Sequence, residues 1–326
     1  MPQKVAVFGG AGFIGTHLLG RLAAEGRYSE LYCFDIAEPQ TRIADVRYVK
    51  CDVRYPIPID ICGAGPADIF NFAAVHTTPG HEDWEYFWTN VSGAVHVCDF
   101  ATSIGANRIT FTSSISVYGP SEDPKDEDCE LQPESAYGRS KLLAENIHGV
   151  WQSERSGQRS IIIVRPAVIY GVGEHGNFTR LARLMRRGLF VYPGRTDTVK
   201  ACGYVEDLVS SMLYMQGRNT GLNVYNFCYP QPYTTEQICA SFCEVAQFKK
   251  PSIVIPTFAI MTAALLFEAL AAIGLPTSIN RARVRKLQHS TYIVPRRLLQ
   301  SGFQYAFDLR SSLAHWKASS PAHVFE

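Results

Sequence analysis

The sequence predicts an α/β protein in which a doubly wound parallel sheet carries helices on both faces and a smaller, mostly helical C-terminal part follows. Two observations support this fold class. Short apolar segments alternate with helical segments along most of the chain, an alternation typical of parallel sheets with crossover helices. The first apolar segment also runs directly into a glycine-rich turn that opens a helix.

The predicted elements follow this alternation in chain order. Strands are expected near residues 4–8, 30–35, 46–50, 67–73, 107–112, 159–165 and 222–228. Helices are expected near residues 13–25, 84–104, 135–155, 178–188, 205–216 and 234–247. Each strand is a short apolar run of the kind that a parallel sheet buries on both faces.

The glycine-rich turn contains Gly9, Gly12 and Gly15 and follows the first predicted strand. Gly9 allows the sharp turn, Gly12 leaves room for a pyrophosphate to approach the backbone, and Gly15 lets the helix pack closely on the strand. The helix begins at Phe13 and Ile14, and its first N–H groups are expected to face the phosphates. The turn therefore predicts a dinucleotide-binding domain of the Rossmann type.

Asp35 ends the second predicted strand, twenty residues after Gly15. An acidic side chain at this place hydrogen-bonds a ribose 2′-hydroxyl, and its charge repels a 2′-phosphate. The predicted cofactor is therefore NAD rather than NADP.

The chain changes character near residue 166, and turns with short helices continue to about residue 200 before the sheet pattern returns. The substrate-facing part is therefore expected to be discontinuous, with the site in the cleft beside the carboxyl edge of the sheet. The predicted division is an NAD-binding domain of residues 1–166 with about 201–228, and a substrate-binding domain of residues 167–200 with 229–326.

A candidate catalytic set lies downstream of the turn. Ser114 follows the strand near 107–112, and Tyr137 and Lys141 are spaced i, i+4 on a predicted helix, so the latter two share one face. A free phenol with a pKa of about 10 is a poor base at neutral pH, and a nearby ammonium favours the phenolate. Ser114 can polarise the reacting oxygen. With the glycine turn, this set predicts a nicotinamide-dependent hydride-transfer enzyme.

Composition disfavours several other classes. The 31 basic and 30 acidic residues give a net charge of +1, so no nucleic-acid partner is expected. The nine cysteines form no CxxC pair, which predicts reduced, buried thiols in a cytoplasmic protein. The sequence shows no metal-ligand spacing, and a strand beginning at Lys4 leaves no room for a signal peptide. We therefore expect neither a metal site nor secretion.

One apolar segment, residues 258–275, contains a single charged residue, Glu268, and precedes a basic stretch at 281–286. It is slightly short of the ~20 apolar residues that a spanning helix needs. The favoured interpretation is a helix that is buried or faces a second subunit. A peripheral helix lying at a membrane interface is the less favoured alternative.

Residues 1 to about 230 resemble the extended short-chain dehydrogenase/reductase family. The motifs in family order are the glycine turn at 9–15, Asp52-Val53, Phe72-Ala73-Ala74, Asn90, the segment 113–119, Tyr137–Lys141 and Arg165-Pro166. The resemblance implies a tightly held NAD, contacted by the first four of these motifs, with Asp52 and Val53 at the adenine. It also implies Tyr137 as acid/base, Lys141 holding the nicotinamide ribose, and Ser114 binding the reacting oxygen.

Within that family the chain is most similar to the nucleotide-sugar epimerases, the UDP-galactose 4-epimerase group. The typical segments are Val117-Tyr118-Gly119, Gly176-Asn177-Phe178 and Tyr204-Val205-Glu206-Asp207. The resemblance implies that Asn177 meets the nucleotide diphosphate and that Lys200 replaces a phosphate-binding arginine. Further substrate-binding residues are expected to be His76, Ser114, Ser116, Arg195 and Arg283 (or one of its neighbouring arginines). His76 is interpreted as a pocket residue, with a second acid/base role as the alternative.

Two departures from the family pattern bear on the reaction. The dehydratase branch carries an acid pair where this chain has Ile115 and Ser116, so a 4,6-dehydratase is not expected. Val168 replaces a frequent asparagine, which keeps a dehydrogenase of a sterol-like alcohol open.

The leading hypothesis is C4 epimerisation of a nucleoside-diphosphate hexose through a transient 4-keto intermediate. The first alternative is an NAD(P)-dependent reductase or dehydrogenase of a keto-sugar or a hydrophobic alcohol. The second is a non-catalytic NAD-sensing protein, which the retention of Ser114, Tyr137 and Lys141 disfavours. Family resemblance further implies a homodimer formed by the helices near 84–104 and 135–155.

Overall fold

The computed structural model describes residues 4–63, 65, 67–78, 80–218, 221–262, 265, 288–320 and 324–325. The apolar segment 258–275 is thus described only at 258–262 and 265, and the predicted substrate residue Arg283 lies outside the described residues. Within the described ranges, no helix has the length and apolar character needed to cross a bilayer.

Strands and helices alternate along the chain. The strands are β1 (Lys4–Phe8), β2 (Glu30–Asp35), β3 (Val46–Lys50), β4 (Ala67–Asn71), β5 (Arg108–Thr112), β6 (Ser121–Lys125), β7 (Ser160–Pro166), β8 (Val168–Tyr170), β9 (Tyr192–Pro193), β10 (Cys202–Tyr204), β11 (Leu222–Phe227), β12 (Val254–Ile255) and β13 (Thr291–Ile293). The helices are α1 (Phe13–Glu25), α2 (Asp83–Phe87), α3 (Gly93–Ser103), α4 (Ala136–Ser153), α5 (Asn177–Arg186), α6 (Val205–Gln216), α7 (Thr235–Ala246), α8 (Arg296–Gln300) and α9 (Leu309–Ser319).

Seven strands form one parallel sheet in the order β11-β7-β5-β4-β1-β2-β3. The chain builds the sheet outward from β1 in one direction and from β4 in the other, so the strand order reverses between β1 and β4. Such a reversal leaves a crevice at the carboxyl edge, which is where ligands bind in open α/β sheets. The predicted doubly wound Rossmann sheet is confirmed.

Each face of the sheet has its own apolar core. Phe34, Phe100 and Trp151 belong to the core beneath α3 and α4, whereas Leu18 and Met212 belong to the core beneath α1 and α6. Burial on both faces explains why the central strands read as continuous apolar runs.

A third apolar cluster belongs to the C-terminal part of the chain. Tyr170, Phe178, Phe242 and Trp316 pack there, contributed by β8, α5, α7 and α9. Three of the four contributing elements, α5, α7 and α9, are helices, which agrees with the predicted mostly helical C-terminal part.

Three further parallel pairs lie outside the main sheet: β8 with β10, β9 with β12, and β6 with β13. The sequence did not predict them as pairs, because strands of two to five residues carry too little periodicity. They bring the segments near residues 121, 200 and 291 together at one place.

Candidate active site

At two positions of the glycine turn, Gly9 and Gly15, the backbone leaves no room for any other residue. Gly9 has a φ of +74°, and a Cβ added there would lie 2.6 Å from the Ala73 nitrogen. A Cβ on Gly15 would lie 2.5 Å from the Gly9 carbonyl oxygen. A side chain at Gly9 would clash with the segment after β4, and one at Gly15 would push α1 away from the turn.

The turn is open in front of Gly12. A Cβ there would meet only the Gly9 carbonyl oxygen, at 3.3 Å, and the N-terminus of α1 has no side-chain cap. Phe13 and Ile14 form the first turn of that helix. Backbone N–H groups without a capping side chain are the groups that bind phosphate oxygens at helix N-termini, so this cradle fits a dinucleotide pyrophosphate.

Asp35 lies at the carboxyl end of β2 beside the turn. Its carboxylate accepts hydrogen bonds from the Ala11 and Ala37 backbone nitrogens, each at 3.0 Å. The acid is thus anchored to the turn itself, at the place where an adenosine ribose is expected. The cradle and this acid together fit NAD.

The other predicted cofactor residues follow β3 and β4. Asp52 accepts from Arg54 Nη2 at 2.6 Å and from Arg54 Nε, whose single N–H is shared between the two carboxylate oxygens at 2.9 and 3.0 Å. These hydrogen bonds hold the pKa of Asp52 below its usual value. Val53 is buried against Gly93, where an added Cβ would lie 2.8 Å from the Val53 Cγ2. Phe72 donates its backbone N–H to the Phe8 carbonyl at 2.8 Å. Ala73 and Ala74 continue this segment along the glycine turn.

Asn90 is buried in a π-helical turn, Trp88–Ser92, that joins α2 to α3. Its amide oxygen accepts from the Val75 nitrogen at 2.9 Å, and its amide nitrogen donates to the Val75 oxygen at 3.1 Å. The same nitrogen donates to the Ser140 hydroxyl on α4 at 2.9 Å. Asn90 therefore fixes the loop after β4 against the helix that carries Tyr137, a connection that the sequence did not reveal.

Ser114 follows β5 at the carboxyl edge of the sheet. Its hydroxyl accepts from the Ser116 backbone nitrogen at 3.1 Å, and its oxygen lies 3.1 Å from the Ser116 hydroxyl oxygen. It also hydrogen-bonds the Tyr137 phenol. Ser114 and Ser116 thus form a small hydroxyl cluster at the edge where a reacting oxygen is expected.

Tyr137 and Lys141 lie on α4, which begins after Ser135, whose hydroxyl accepts from the Gly138 nitrogen at 3.0 Å. The Lys141 Nζ donates to the Thr112 carbonyl oxygen at 2.8 Å. Because Thr112 ends β5 and Ser114 follows it, this bond ties the lysine to the strand that carries the serine. The structure therefore brings Ser114, Tyr137 and Lys141 together at the carboxyl end of β5.

Burial shifts the pKa of both catalytic candidates in the protein alone. It raises the pKa of Tyr137 to about 12, and the hydrogen bond from Ser114 opposes this rise. It lowers the pKa of Lys141 to about 7, and the charge of Glu145 opposes this fall. The sequence predicts that Lys141 lowers the phenol pKa. In the structure the side chain that lowers it is Ser114.

Glu145 is a buried residue that the sequence reasoning missed. Its carboxylate accepts from Arg165 Nε at 2.9 Å and Nη2 at 2.7 Å. Arg165 also donates to the Tyr118 hydroxyl at 2.7 Å, and that hydroxyl donates to Asn226 at 2.9 Å. The signal was present, because Tyr137, Lys141 and Glu145 repeat at i, i+4, i+8 on one helical face.

His76 lies in the loop after β4, where part of its side chain is exposed and part is covered by the protein. Desolvation by the surrounding protein lowers its pKa, and the charge of Lys141 lowers it further. His76 is thus near enough to Lys141 to feel its charge, and its role in the substrate pocket stays a prediction.

Asn177 begins α5 and is exposed, with its side-chain oxygen 3.3 Å from Arg180 Nη2. The helix N-terminus is held instead by the buried Glu174, whose carboxylate accepts from the Thr179 nitrogen at 2.9 Å. The role of Asn177 toward a diphosphate remains a prediction.

Arg195 and Lys200 lie near β13. Arg195 donates to Glu122 at 2.8 Å and to Asp197 at 2.7 Å, and Lys200 donates to the His289 carbonyl at 2.6 Å. Two carboxylates therefore already balance the Arg195 charge. A diphosphate would compete with these two carboxylates for the Arg195 charge.

Comparison with known proteins agrees with this geometry. The model of the "NAD dependent epimerase/dehydratase family" matches residues 5–228. The N-acetyl-alpha-D-glucosaminyl-diphospho-ditrans,octacis-undecaprenol 4-epimerase of Escherichia coli O157:H7 is 28% identical over 315 residues, which cover 96% of this chain and 94% of that protein. Ceramide reductase of Caulobacter vibrioides is 25% identical over 314 residues, covering 95% of this chain and 92% of that protein.

A solved structure shows the same fold. MoeE5 in complex with UDP-glucuronic acid and NAD has a TM-score of 0.75 and 23% identity, with 97% of this chain and 99% of that chain covered. Because the family match spans well over half of the 326 residues, the chain belongs to the NAD dependent epimerase/dehydratase family and is an NAD-dependent enzyme of the extended short-chain dehydrogenase/reductase type.

Proposed function

We propose that this protein is a 4-epimerase of a hexose carried on a diphosphate, acting through a transient 4-keto sugar with Tyr137 as acid/base. The observation that supports it most is the convergence of Ser114, Tyr137 and Lys141 at the carboxyl end of β5, beside a glycine turn that fits NAD.

In this proposal Tyr137 takes the proton of the C4 hydroxyl, and Ser114 hydrogen-bonds the same oxygen. Lys141, held by the Thr112 carbonyl, faces the nicotinamide ribose. NAD, when bound, supplies the hydride acceptor at C4 and a positive charge that favours the phenolate. Tyr137 later returns the proton to the C4 oxygen after the sugar has turned in the pocket.

Epimerisation needs one acid/base and no carboxylate pair, because the proton and the hydride leave and return at the same two atoms. The positions of the dehydratase acid pair hold Ile115, which is buried, and Ser116, which bonds Ser114. These side chains cannot act as acid and base toward C5 and C6, which supports epimerisation over elimination.

The proposed carrier of the hexose rests on two relatives whose similarity covers nearly the whole chain. The proteins of Escherichia coli O157:H7 and Caulobacter vibrioides described above each match about 95% of this chain. The first is named for a polyprenyl-diphospho sugar and the second for ceramide. We therefore propose a diphosphate-linked hexose whose carrier is a nucleoside, as the sequence suggested, or a polyprenyl lipid. Both carriers present the same diphosphate chemistry to Lys200 and Arg195.

A second candidate function is a reductase of a hydrophobic carbonyl compound, which the similarity to ceramide reductase over most of the chain favours. It uses the same three residues with net consumption of NADH or NADPH. The two functions differ in whether the cofactor turns over.

We also propose the discontinuous division into a sheet domain and a substrate domain given above, and a homodimer through α2–α3 and α4. Trp84, Val95, Leu143 and Val150 on these helices are exposed apolar residues, which supports a helical contact with a second copy. Light scattering should give the dimer mass for the wild type and the monomer mass after Val150→Asp.

The test of function incubates purified protein with UDP-, GDP- and dTDP-hexoses and with a polyprenyl-diphospho-N-acetylhexosamine. Sugar products are identified by NMR, while NADH absorbance is followed in parallel. A C4 epimer without net NADH supports the epimerase and identifies the carrier. Stoichiometric NADH change instead supports the reductase.

The catalytic assignment is tested by Tyr137→Phe. Tyr86→Phe is the matched control, because the centroid of its ring lies 6.2 Å from that of Tyr137 and its hydroxyl donates to the Thr77 carbonyl. Loss of a general acid/base costs roughly 10²–10⁴-fold in rate. Tyr137→Phe should lose that much while retaining NAD, and Tyr86→Phe should stay within a few fold. Full turnover in Tyr137→Phe would overturn the mechanism.

A further inference from the structure

One surface that the reaction does not use combines exposed apolar and basic side chains. We call it the α5–β12 patch. Its apolar members are Leu184, Leu189, Ile253, Val254 and Phe258. Its basic members are Arg183, Arg186, Arg187, Lys249 and Lys250.

The apolar members are large side chains that are mostly exposed to solvent. Leu189 is 63% exposed, Ile253 is 61% exposed and Phe258 is 76% exposed. Isolated exposed leucines are common, but several large apolar side chains gathered on one surface indicate an interaction site.

Backbone pairing makes these residues one surface. The Leu189 nitrogen donates to the Leu184 carbonyl at 2.9 Å, which folds the chain after α5 back onto the helix. Three residues later the Tyr192 nitrogen donates to the Ile253 carbonyl at 2.9 Å, where β9 meets β12. Phe258 follows β12 directly.

The charge on this surface is mainly positive. Residues 180–190 and 249–258 contain six basic residues and no acidic residue. Glu236 pairs with Lys250 at 3.3 Å from the neighbouring helix α7. Arg186 and Arg187 are exposed at the end of α5, whose Phe178, Ala182 and Met185 face the core instead.

Exposed apolar side chains among cations are the composition of surfaces that lie on anionic membranes. The apolar groups enter the boundary of the acyl chains, and the cations contact the headgroups. We propose that the α5–β12 patch docks this protein on an anionic phospholipid bilayer.

The patch adjoins the predicted diphosphate-binding residues. β9 leads within two residues to Arg195, which hydrogen-bonds Ser290, and Ser290 precedes the β13 residue that bridges to Lys200. A docked protein would therefore hold this side of its cleft near the bilayer, where a lipid-linked diphosphate resides. That use rests on the proposed function, whereas the docking itself does not.

The experiment is flotation of the full-length protein with two kinds of vesicle. One kind is pure phosphatidylcholine, which is neutral, and the other contains about 30% of the anionic lipid phosphatidylglycerol, so the comparison measures the contribution of charge. We expect binding to the anionic vesicles that weakens with salt. No binding to anionic vesicles at low salt would overturn the proposal, whatever the enzyme does with soluble sugars.

Two paired substitutions locate the binding on the patch. Arg186→Gln with Arg187→Gln should weaken partitioning roughly 25-fold, since each cation near an anionic surface contributes about fivefold. Leu189→Ser with Phe258→Ser should weaken it at constant charge. Both pairs change exposed side chains, so the thermal midpoint should not fall.

Matched controls lie at the amino edge of the sheet. Arg27→Gln with Arg155→Gln removes two exposed arginines, and Leu222→Ser replaces a leucine that is 55% exposed. Equal loss in the patch variants and the controls would overturn the assignment of the surface. Activity on a soluble nucleoside-diphosphate sugar should be unchanged in all of them, which separates failure of docking from failure of the proposed reaction.

Discussion

The buried ion pair between Glu145 and Arg165 offers the sharpest test of how the catalytic helix is held. Their side chains are each about 6% exposed, and two charge-assisted hydrogen bonds join them at 2.9 and 2.7 Å. Glu145 lies one helical turn from Lys141. The pair therefore clamps α4 to β7, next to the catalytic candidates.

Replacing either member by methionine leaves the other charge buried without its partner. Breaking a buried pair in this way costs about 3–5 kcal/mol, a large share of the roughly 5–15 kcal/mol that stabilises a typical domain. Replacing both members removes both charges, and such replacements are often close to neutral. The Tyr118 hydroxyl keeps its bond to Asn226 in the double variant.

We therefore expect Glu145→Met and Arg165→Met each to lose about 3–5 kcal/mol of unfolding free energy, and the double variant to lose at least about 2 kcal/mol less than the two losses added. Urea unfolding of the NAD-free protein at 15 °C measures all four proteins. Additive losses, or single losses below about 1 kcal/mol, would show that the pair does not hold α4 as we infer.

Three further outcomes follow from the site. Burial lowers the pKa of Lys141 to about 7 in the folded protein, so the unfolded chain binds more protons between that value and its ordinary pKa, and wild-type stability rises with pH across this window. Lys141→Met removes this pH dependence. In urea unfolding, the free energy of unfolding of Lys141→Met minus that of the wild type should be about 2 kcal/mol larger at pH 7 than at pH 9. An equal difference at both pH values would contradict the lowered pKa of Lys141. Gly15→Ala should cost about 1–3 kcal/mol and weaken NAD binding by calorimetry, whereas Gly149→Ala, a helical glycine with open space around it, should be neutral or slightly stabilising. Asp35→Asn should weaken NAD binding roughly 10–100-fold and narrow the preference over NADP, measured by titration with both cofactors; an unchanged preference would remove Asp35 from the ribose site.

Much of the site could be predicted because its parts are local in sequence. Gly9, Gly12 and Gly15 act within one turn, and Tyr137 and Lys141 share a helical face because α-helical geometry repeats every 3.6 residues. The alternation of apolar strands and helices predicted the sheet, since parallel strands need crossover helices. The resemblance to a known family added residue roles that no periodicity could supply.

Other features depended on contacts between residues far apart in the chain. The bond from Lys141 to the Thr112 carbonyl, the pair of Glu145 with Arg165, and the ion pair of Arg195 with Glu122 join residues 20 to 73 positions apart. No local pattern encodes which strand end a side chain meets, and the short parallel pairs that gather these segments have too few residues to show a period.

The sequence by itself determined the fold class, the cofactor-binding turn and the placing of Tyr137 and Lys141 on one helical face, because local sterics and helical periodicity dictate each of these. Only the tertiary structure decided the electrostatic state of the site. Burial raises the pKa of Tyr137 and lowers that of Lys141, and it acts only once the chain has packed. Carboxylates that the fold brings close pair with the charge of Arg195.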